Sequence, residues 1–118
     1  MTSLAATYGF TADKGATFTQ VIKWKDVNKN LIDLSGYTAS MVIREKTTAA
    51  DIVLTLNTEN GRIALGGDAG TITLNVSADD MAINASQYTY TLELTSISGE
   101  VTRLLMGAFV VRSDVYRI

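Results

Sequence analysis

Residues 88–95 read Tyr-Thr-Tyr-Thr-Leu-Glu-Leu-Thr, and this stretch decides the fold class. Large apolar side chains alternate strictly with threonine and glutamate. Successive side chains of a β-strand point to opposite faces of a sheet, so a period of two predicts a strand with one buried and one solvated face. The residues expected to point inward are Tyr88, Tyr90, Leu92 and Leu94.

The same alternation recurs on both sides of this stretch. Between Tyr37 and Arg44 it places Tyr37, Ala39, Met41 and Ile43 on the inner face. In residues 17–25 it places Phe18, Ile22 and Trp24 inside, while Val21 interrupts the polar face. Further strands are predicted at residues 52–56 (with Ile52, Leu54 and Leu56 inward), 62–65, 72–76, 101–111 and 115–118.

Turn residues punctuate these strands. Asp26–Asn30 carries Asx side chains that favour a turn, and Asn60-Gly61 is the strongest two-residue hairpin signal in the chain. Ser77 followed by Asp79 and Asp80 predicts a helix start with Ser77 as N-cap. Gly107, inside a long apolar run, predicts a bulge or a change of sheet.

Together these signals predict an all-β protein. We expect an antiparallel immunoglobulin-like β-sandwich of seven to eight strands with one short helical turn, forming a single domain over residues 1–118. Tyr88 follows the predicted helical turn and is a candidate for the tyrosine corner of such domains. The alternative is that Tyr88 and Tyr90 are ordinary amphipathic core residues.

The chain lacks both histidine and cysteine. Most routes of proton shuttling, side-chain nucleophilic attack and zinc binding are therefore closed, and no pair of carboxylates stands out for glycoside cleavage. Asp26–Asn30 matches the start of an EF-hand loop, but Leu31 replaces the required glycine and Tyr37 the bidentate glutamate. We expect no enzyme activity, no cofactor and no metal site.

Charge and hydropathy restrict the partners. A net charge of −2 argues against nucleic acid, which requires a basic surface. The longest apolar run, residues 104–111, is far shorter than the roughly 20 residues of a membrane helix, and the first residues do not resemble a signal peptide. The sequence therefore predicts a protein made in the cytoplasm that binds neither nucleic acid nor membranes.

Residues 20–44 resemble small bacteriophage virion proteins. In those proteins a strand with a tryptophan and an aspartate turn precedes an Ile-Asp-Leu-Ser/Thr-Gly-Tyr-Thr stretch, here residues 32–38, and a strand that ends in Ile-Arg, here residues 43–44. A similar arrangement marks the amino-terminal sandwich of phage baseplate upper proteins. Residues 88–94 and 99–107 fit the same pattern, although we expect no fibre-forming extension after the sandwich.

The resemblance implies a structural protein of the virion, either a tail or baseplate adaptor or a capsid decoration subunit. Its partners would be other virion proteins of the tail, baseplate or capsid, with homo-oligomers on the particle as an option. The runner-up is a carbohydrate-binding module for host recognition. Because strand edges near both ends lack proline, we expect docking there. The expected contact residues are Tyr8, Phe10, Val115, Tyr116 and Ile118.

Overall fold

The computed structural model describes residues 6–45 and 51–113, and it is built almost entirely of β-strands. The strands are β1 (Ala6–Thr7), β2 (Phe10–Asp13), β3 (Phe18–Lys23), β4 (Thr38–Arg44), β5 (Ile52–Asn57), β6 (Ile63–Leu65), β7 (Thr71–Val76), β8 (Ser86–Thr95) and β9 (Val101–Arg112). The predicted strand at residues 115–118 lies outside the described residues.

The strands form two sheets. The larger contains six strands in the order β1, β9, β8, β4, β5, with β2 beside β1 along the same edge of β9. The smaller contains β3, β7 and β6 in that order. Strands β1 and β2 run parallel to β9, whereas all other pairs are antiparallel. The prediction of a wholly antiparallel fold is therefore wrong, because the amino-terminal strand lies alongside the last described strand in the same direction.

One hydrophobic cluster joins the inner faces of both sheets, so the architecture is sandwich-like. The predicted inward residues of β8 are confirmed, with Leu92 and Leu94 fully buried and the two tyrosines almost so. Full burial of one large apolar side chain stabilises the fold by about 1.5–3 kcal/mol. The core residues of the smaller sheet are Phe18, Ile63, Ile72, Leu74 and Val76.

Strand β5 departs from its predicted pattern. Leu56 is fully buried as expected, but Ile52 is half exposed. A bulge shifts the register between β4 and β5, so that Ile52 lies opposite Arg44 on the outer face. Val53 takes the extra position and packs against the core instead. A bulge inserts one residue and reverses the faces beyond it, which simple alternation cannot foresee.

The Asn60-Gly61 turn does not make a hairpin. It joins β5 of the larger sheet to β6 of the smaller, so the hairpin prediction is wrong. Gly61 has a φ of 80°, as the signal implies. The Asn60 side chain, however, accepts the N–H groups of Asn57 at 3.1 Å and Arg62 at 3.0 Å. These bonds stabilise a turn between sheets without any strand pairing.

Of the predicted helical turn, only the hydrogen bonds that cap its first residues are formed. Ser77 Oγ accepts the Asp80 N–H at 3.2 Å, and the Met81 N–H donates to the Ser77 carbonyl at 2.9 Å. The turn does not continue into a helix. Among the described residues the helical element is a single 3-10 turn at Gly67–Ala69, which the sequence pattern did not predict. No helix in this part of the chain has the length and hydropathy to span a membrane.

The Asx turn predicted before residue 31 is confirmed. Asp26 Oδ1 accepts the N–H groups of Asn28 at 2.8 Å and Asn30 at 3.0 Å. Lys29, between them, adopts a positive φ of 68°. The Asp26 carboxylate is thus engaged in shaping the loop.

Candidate functional site

Two strand edges lie on the same side of the sandwich. The β1–β2 edge closes the larger sheet and β3 closes the smaller. Phe10 of β2 and Phe18 of β3 face each other across the core, with ring centroids 6.1 Å apart. We call this side, formed by residues 6–13 and 18–23, the open edge.

Strand β3 directs part of its backbone away from its own sheet. The Asn75 N–H donates to the Arg62 carbonyl at 2.8 Å, so the backbone groups of Asn75 point toward β6. Its register partner Thr19 therefore makes no backbone hydrogen bond with β7. Because backbone direction alternates along an antiparallel strand, the N–H and carbonyl groups of Thr19, Val21 and Lys23 all point outward.

The other half of the open edge is interrupted at Tyr8. The Tyr8 N–H donates to the Met106 carbonyl at 2.9 Å, continuing the pairing of β1 with β9. The Tyr8 carbonyl instead accepts the hydroxyl of Tyr90 at 2.7 Å. A buried side chain therefore holds the backbone at the break between β1 and β2.

Gly107 makes this close approach possible. Any Cβ at this position would overlap the Tyr8 carbonyl oxygen, and its φ of 153° disfavours other residues. The strand neither bulges here nor changes sheets, since Gly107 lies in register opposite Tyr90. The bulge in the β8–β9 pair falls at Leu92/Glu93 instead. The prediction for Gly107 is thus wrong, and its role is to admit a neighbouring backbone.

An apolar groove of about 240 Å³ runs between the two edges. Tyr8 and Val21 border it, and both are 50% exposed. The residues that line it are Tyr8, Gln20, Val21, Ile22 and Leu105. Exposed large apolar side chains beside outward-pointing backbone groups are the features that an added strand can use.

The five contact residues predicted from the sequence divide into three groups. Tyr8 lies at the groove and is half exposed, and its role as a contact stays a prediction. Phe10 is 3% exposed and packs against Phe18, Tyr90 and Phe109 in the core, so it does not present the exposed contact surface expected from the sequence. Inward alternation in β2 explains this burial, because Ala12 is buried on the same face. Val115, Tyr116 and Ile118 lie outside the described residues.

Four groove residues were not predicted as contacts: Gln20, Val21, Ile22 and Leu105. A signal for Val21 existed, because it is the apolar residue that breaks the polar face of β3. No local signal identified Leu105, whose place at the groove depends on pairing with Ala6 across the chain.

The outer face of the larger sheet carries a second concave surface. One depression on it has a volume of about 360 Å³ and is lined by strands β4, β8 and β9. Arg103 donates through Nε and Nη2 to Glu93 Oε2 at 3.2 and 3.1 Å, so these two charges compensate each other. Thr89 and Thr91 line the same depression. The described residues contain no cluster of acids that could hold a metal ion.

Burial perturbs two phenols beside the core. It raises the pKa of Tyr90 to about 12, with a smaller contribution from Tyr8. It also raises the pKa of Tyr88, with Glu45 as the lesser cause. The Tyr88 hydroxyl donates to the Asn84 carbonyl at 2.6 Å. Both hydroxyls are therefore protonated donors that hold backbone, and neither is placed as an acid–base catalyst at neutral pH.

No protein-family model matches this sequence, and the search of curated proteins returned no match.

Proposed function

We propose that this chain is a structural protein of a bacteriophage virion that acts through protein–protein contacts, as a tail or baseplate adaptor or a capsid decoration subunit. The observation that supports contact as its mode of action is the open edge. There, outward backbone groups of β3 lie beside a groove bordered by half-exposed Tyr8 and Val21. The resemblance of residues 32–38 to phage proteins supports the virion as the setting.

We also infer that the sandwich is immunoglobulin-like. In support, Tyr88 lies near the start of β8, and its hydroxyl bonds to a carbonyl four residues upstream. That is the arrangement of a tyrosine corner. An experimental structure compared strand by strand with immunoglobulin domains tests this; an incompatible strand order would refute it.

The assembly role is tested on particles purified from a host that carries the phage genome encoding this chain. We expect the chain to co-purify with them, and the Tyr8→Ser variant to be incorporated at reduced stoichiometry by mass spectrometry. Val101→Ser is the matched control, because Val101 is exposed to a similar extent away from the open edge. Absence of the wild-type chain from intact particles would refute the proposal.

A glycan array tests the alternative function, a carbohydrate-binding module. Specific, saturable sugar binding by the isolated chain, together with absence from particles, would favour a carbohydrate-binding module. The described part of the chain offers Tyr8 as a half-exposed ring, whereas Tyr88 and Tyr90 are buried. Sugar sites rely on exposed aromatic faces, so we expect no binding.

A further inference from the structure

The edges of the two sheets are not equally protected against strand addition. On β5, Asn60 Nδ2 and Arg62 Nη1 donate to the Thr55 carbonyl at 3.0 and 2.9 Å. The edge strand β6 has only three residues. The β1–β2 edge is broken at Tyr8. Short, capped or interrupted edges resist the addition of another strand.

Strand β3 has none of these protections. It runs for six residues with regular pairing to β7 and no bulge. Its outward backbone groups at Thr19, Val21 and Lys23 repeat every second residue. Lys23 is its one charged side chain, at the end of the strand. Of the described edges, β3 is therefore the one suited to pair with another strand.

The pattern of β3 is complementary to itself. A two-fold axis through Val21 would place two β3 strands antiparallel, with Val21 opposite its symmetry mate and Thr19 opposite Lys23. All three outward residues would then form reciprocal backbone hydrogen bonds. The two half-exposed valines would cover each other, and the groove with its Tyr8 would be continuous across the axis.

Charge disfavours the alternative register that has the axis at Lys23. With the axis at Val21, each Lys23 lies across from the Thr19 hydroxyl, which donates to Asn75 Oδ1 at 3.2 Å. That amide oxygen is an acceptor within the same surface. An axis at Lys23 would instead set two ammonium groups directly opposite each other, which is destabilising. The registers are therefore not equivalent, and the one that buries valine also separates the lysines.

We propose that a second copy of this chain docks on the open edge by antiparallel pairing of β3 with β3 about Val21. The two smaller sheets then form one continuous six-stranded sheet. This inference rests on the proposed function, since it names one of the contacts through which the assembly protein would act.

The absence of cysteine permits a direct test. In a hydrogen-bonded antiparallel pair the Cα atoms are about 5.5 Å apart, within the range of a disulfide. We expect Val21→Cys to form a covalent dimer on mild oxidation. Val101→Cys, equally exposed but on β9, is the control. If Val21→Cys forms no more dimer than the control, the proposal is wrong.

A charge variant supplies the second measurement. Val21→Lys sets like charges opposite each other and removes the apolar contact, so the dimer measured by sedimentation equilibrium should weaken by about tenfold or more. Val101→Lys should leave it unchanged. An unaltered Val21→Lys dimer, or a wild-type chain that is monomeric throughout, overturns β3 pairing.

Measuring incorporation into particles distinguishes failure of the β3 dimer proposal from failure of the proposed function. Wild-type protein that is monomeric yet still incorporated would refute only the β3 dimer. Wild-type protein that forms the β3 dimer but is absent from particles would leave the dimer standing and refute the virion role.

Discussion

At the scale of single residues, the position of the Tyr8 backbone depends on the Tyr90 hydroxyl and on the lack of a side chain at Gly107. Tyr90 donates to the Tyr8 carbonyl, and Gly107 leaves room for it. Both residues are distant from Tyr8 in sequence. Alternation of apolar residues therefore predicted that Tyr90 is buried, but it could not predict the hydrogen bond to the Tyr8 carbonyl. Tyr90 and Gly107 can each be substituted without adding or removing a charged side chain.

Replacement of Tyr90 by phenylalanine should change the pH dependence of stability. The pKa of Tyr90 is about 12 in the folded protein but about 10 in an unfolded chain. Between these values only the unfolded chain loses the proton, so the free energy of unfolding falls as pH rises from about 10 to 12. Tyr90→Phe should lose about 1 kcal/mol at neutral pH and show a shallower fall in urea titrations. Tyr37→Phe is the control, and equal slopes for wild type and Tyr90→Phe would contradict the assignment.

Replacement of Gly107 by alanine should displace the Tyr8 backbone. The new Cβ would meet a carbonyl oxygen that cannot move without breaking its bond to Tyr90. We expect a loss of about 2 kcal/mol or more in the free energy of unfolding, with faster amide exchange in β1. Gly9→Ala is the matched control, because its Cβ would make only an ordinary contact with Ala108. Similar stability of the two variants would refute this role.

At the scale of elements, β5 shows how an edge is protected. Its six residues, Ile52–Asn57, carry no charge and no proline, a composition prone to strand addition. The loop that follows returns Asn60 and Arg62 to its Thr55 carbonyl. Arg62 also pairs with Asp80 at 2.8 Å, and the guanidinium lowers the pKa of that carboxyl.

Removal of this cap should promote association. Arg62→Ala frees the Thr55 carbonyl from its charged donor, so we expect faster aggregation, measured by light scattering and a β-sheet-binding dye. Asp80→Ala breaks the exposed salt bridge but keeps the donor on Thr55, so it should aggregate at the wild-type rate. An Arg62→Ala variant that remains as dispersed as Asp80→Ala would show that the cap does not protect the edge.

The elements also show what a sequence can reveal. Alternation correctly located the inner faces of β4, β7 and β8, because each face is set by neighbouring residues. It failed at Ile52, where a bulge reverses the faces, and at Asn60-Gly61, where the choice between hairpin and crossover depends on strands far away in the chain. The open edge was only partly foreseeable. Tyr8 was named and Val21 left a visible irregularity, but the groove requires knowledge of sheet order.

At the scale of the whole molecule, the open edge and the β5 edge lie in different environments. One carries an apolar groove and outward backbone groups, whereas the other is capped by its own loop. A subunit with one protected and one exposed edge can associate through a defined side. This asymmetry is what the proposed assembly role requires.

Deletion of Asp114–Ile118 tests whether the carboxyl end also takes part. The apolar residues Val115, Tyr116 and Ile118 are expected to dock on neighbouring subunits, so the truncated chain should be incorporated into particles less well. Its thermal transition should be nearly unchanged, because described residues before 112 form a continuous core cluster of their own. Full incorporation after truncation would exclude a role for this end.

The parallel pairing of β2 with β9 has a consequence for how the protein is made. Asp13 and Arg112, which meet at the end of this pair, are separated by 99 positions in the sequence. A ribosome that proceeds from the amino end releases β2 first, long before its partner exists. Phe10 and Ala12 must then await β9 with their apolar side chains uncovered. Strands β1 and β2 are thus synthesised long before the strand with which they pair, and the nascent chain is most vulnerable just before β9 emerges.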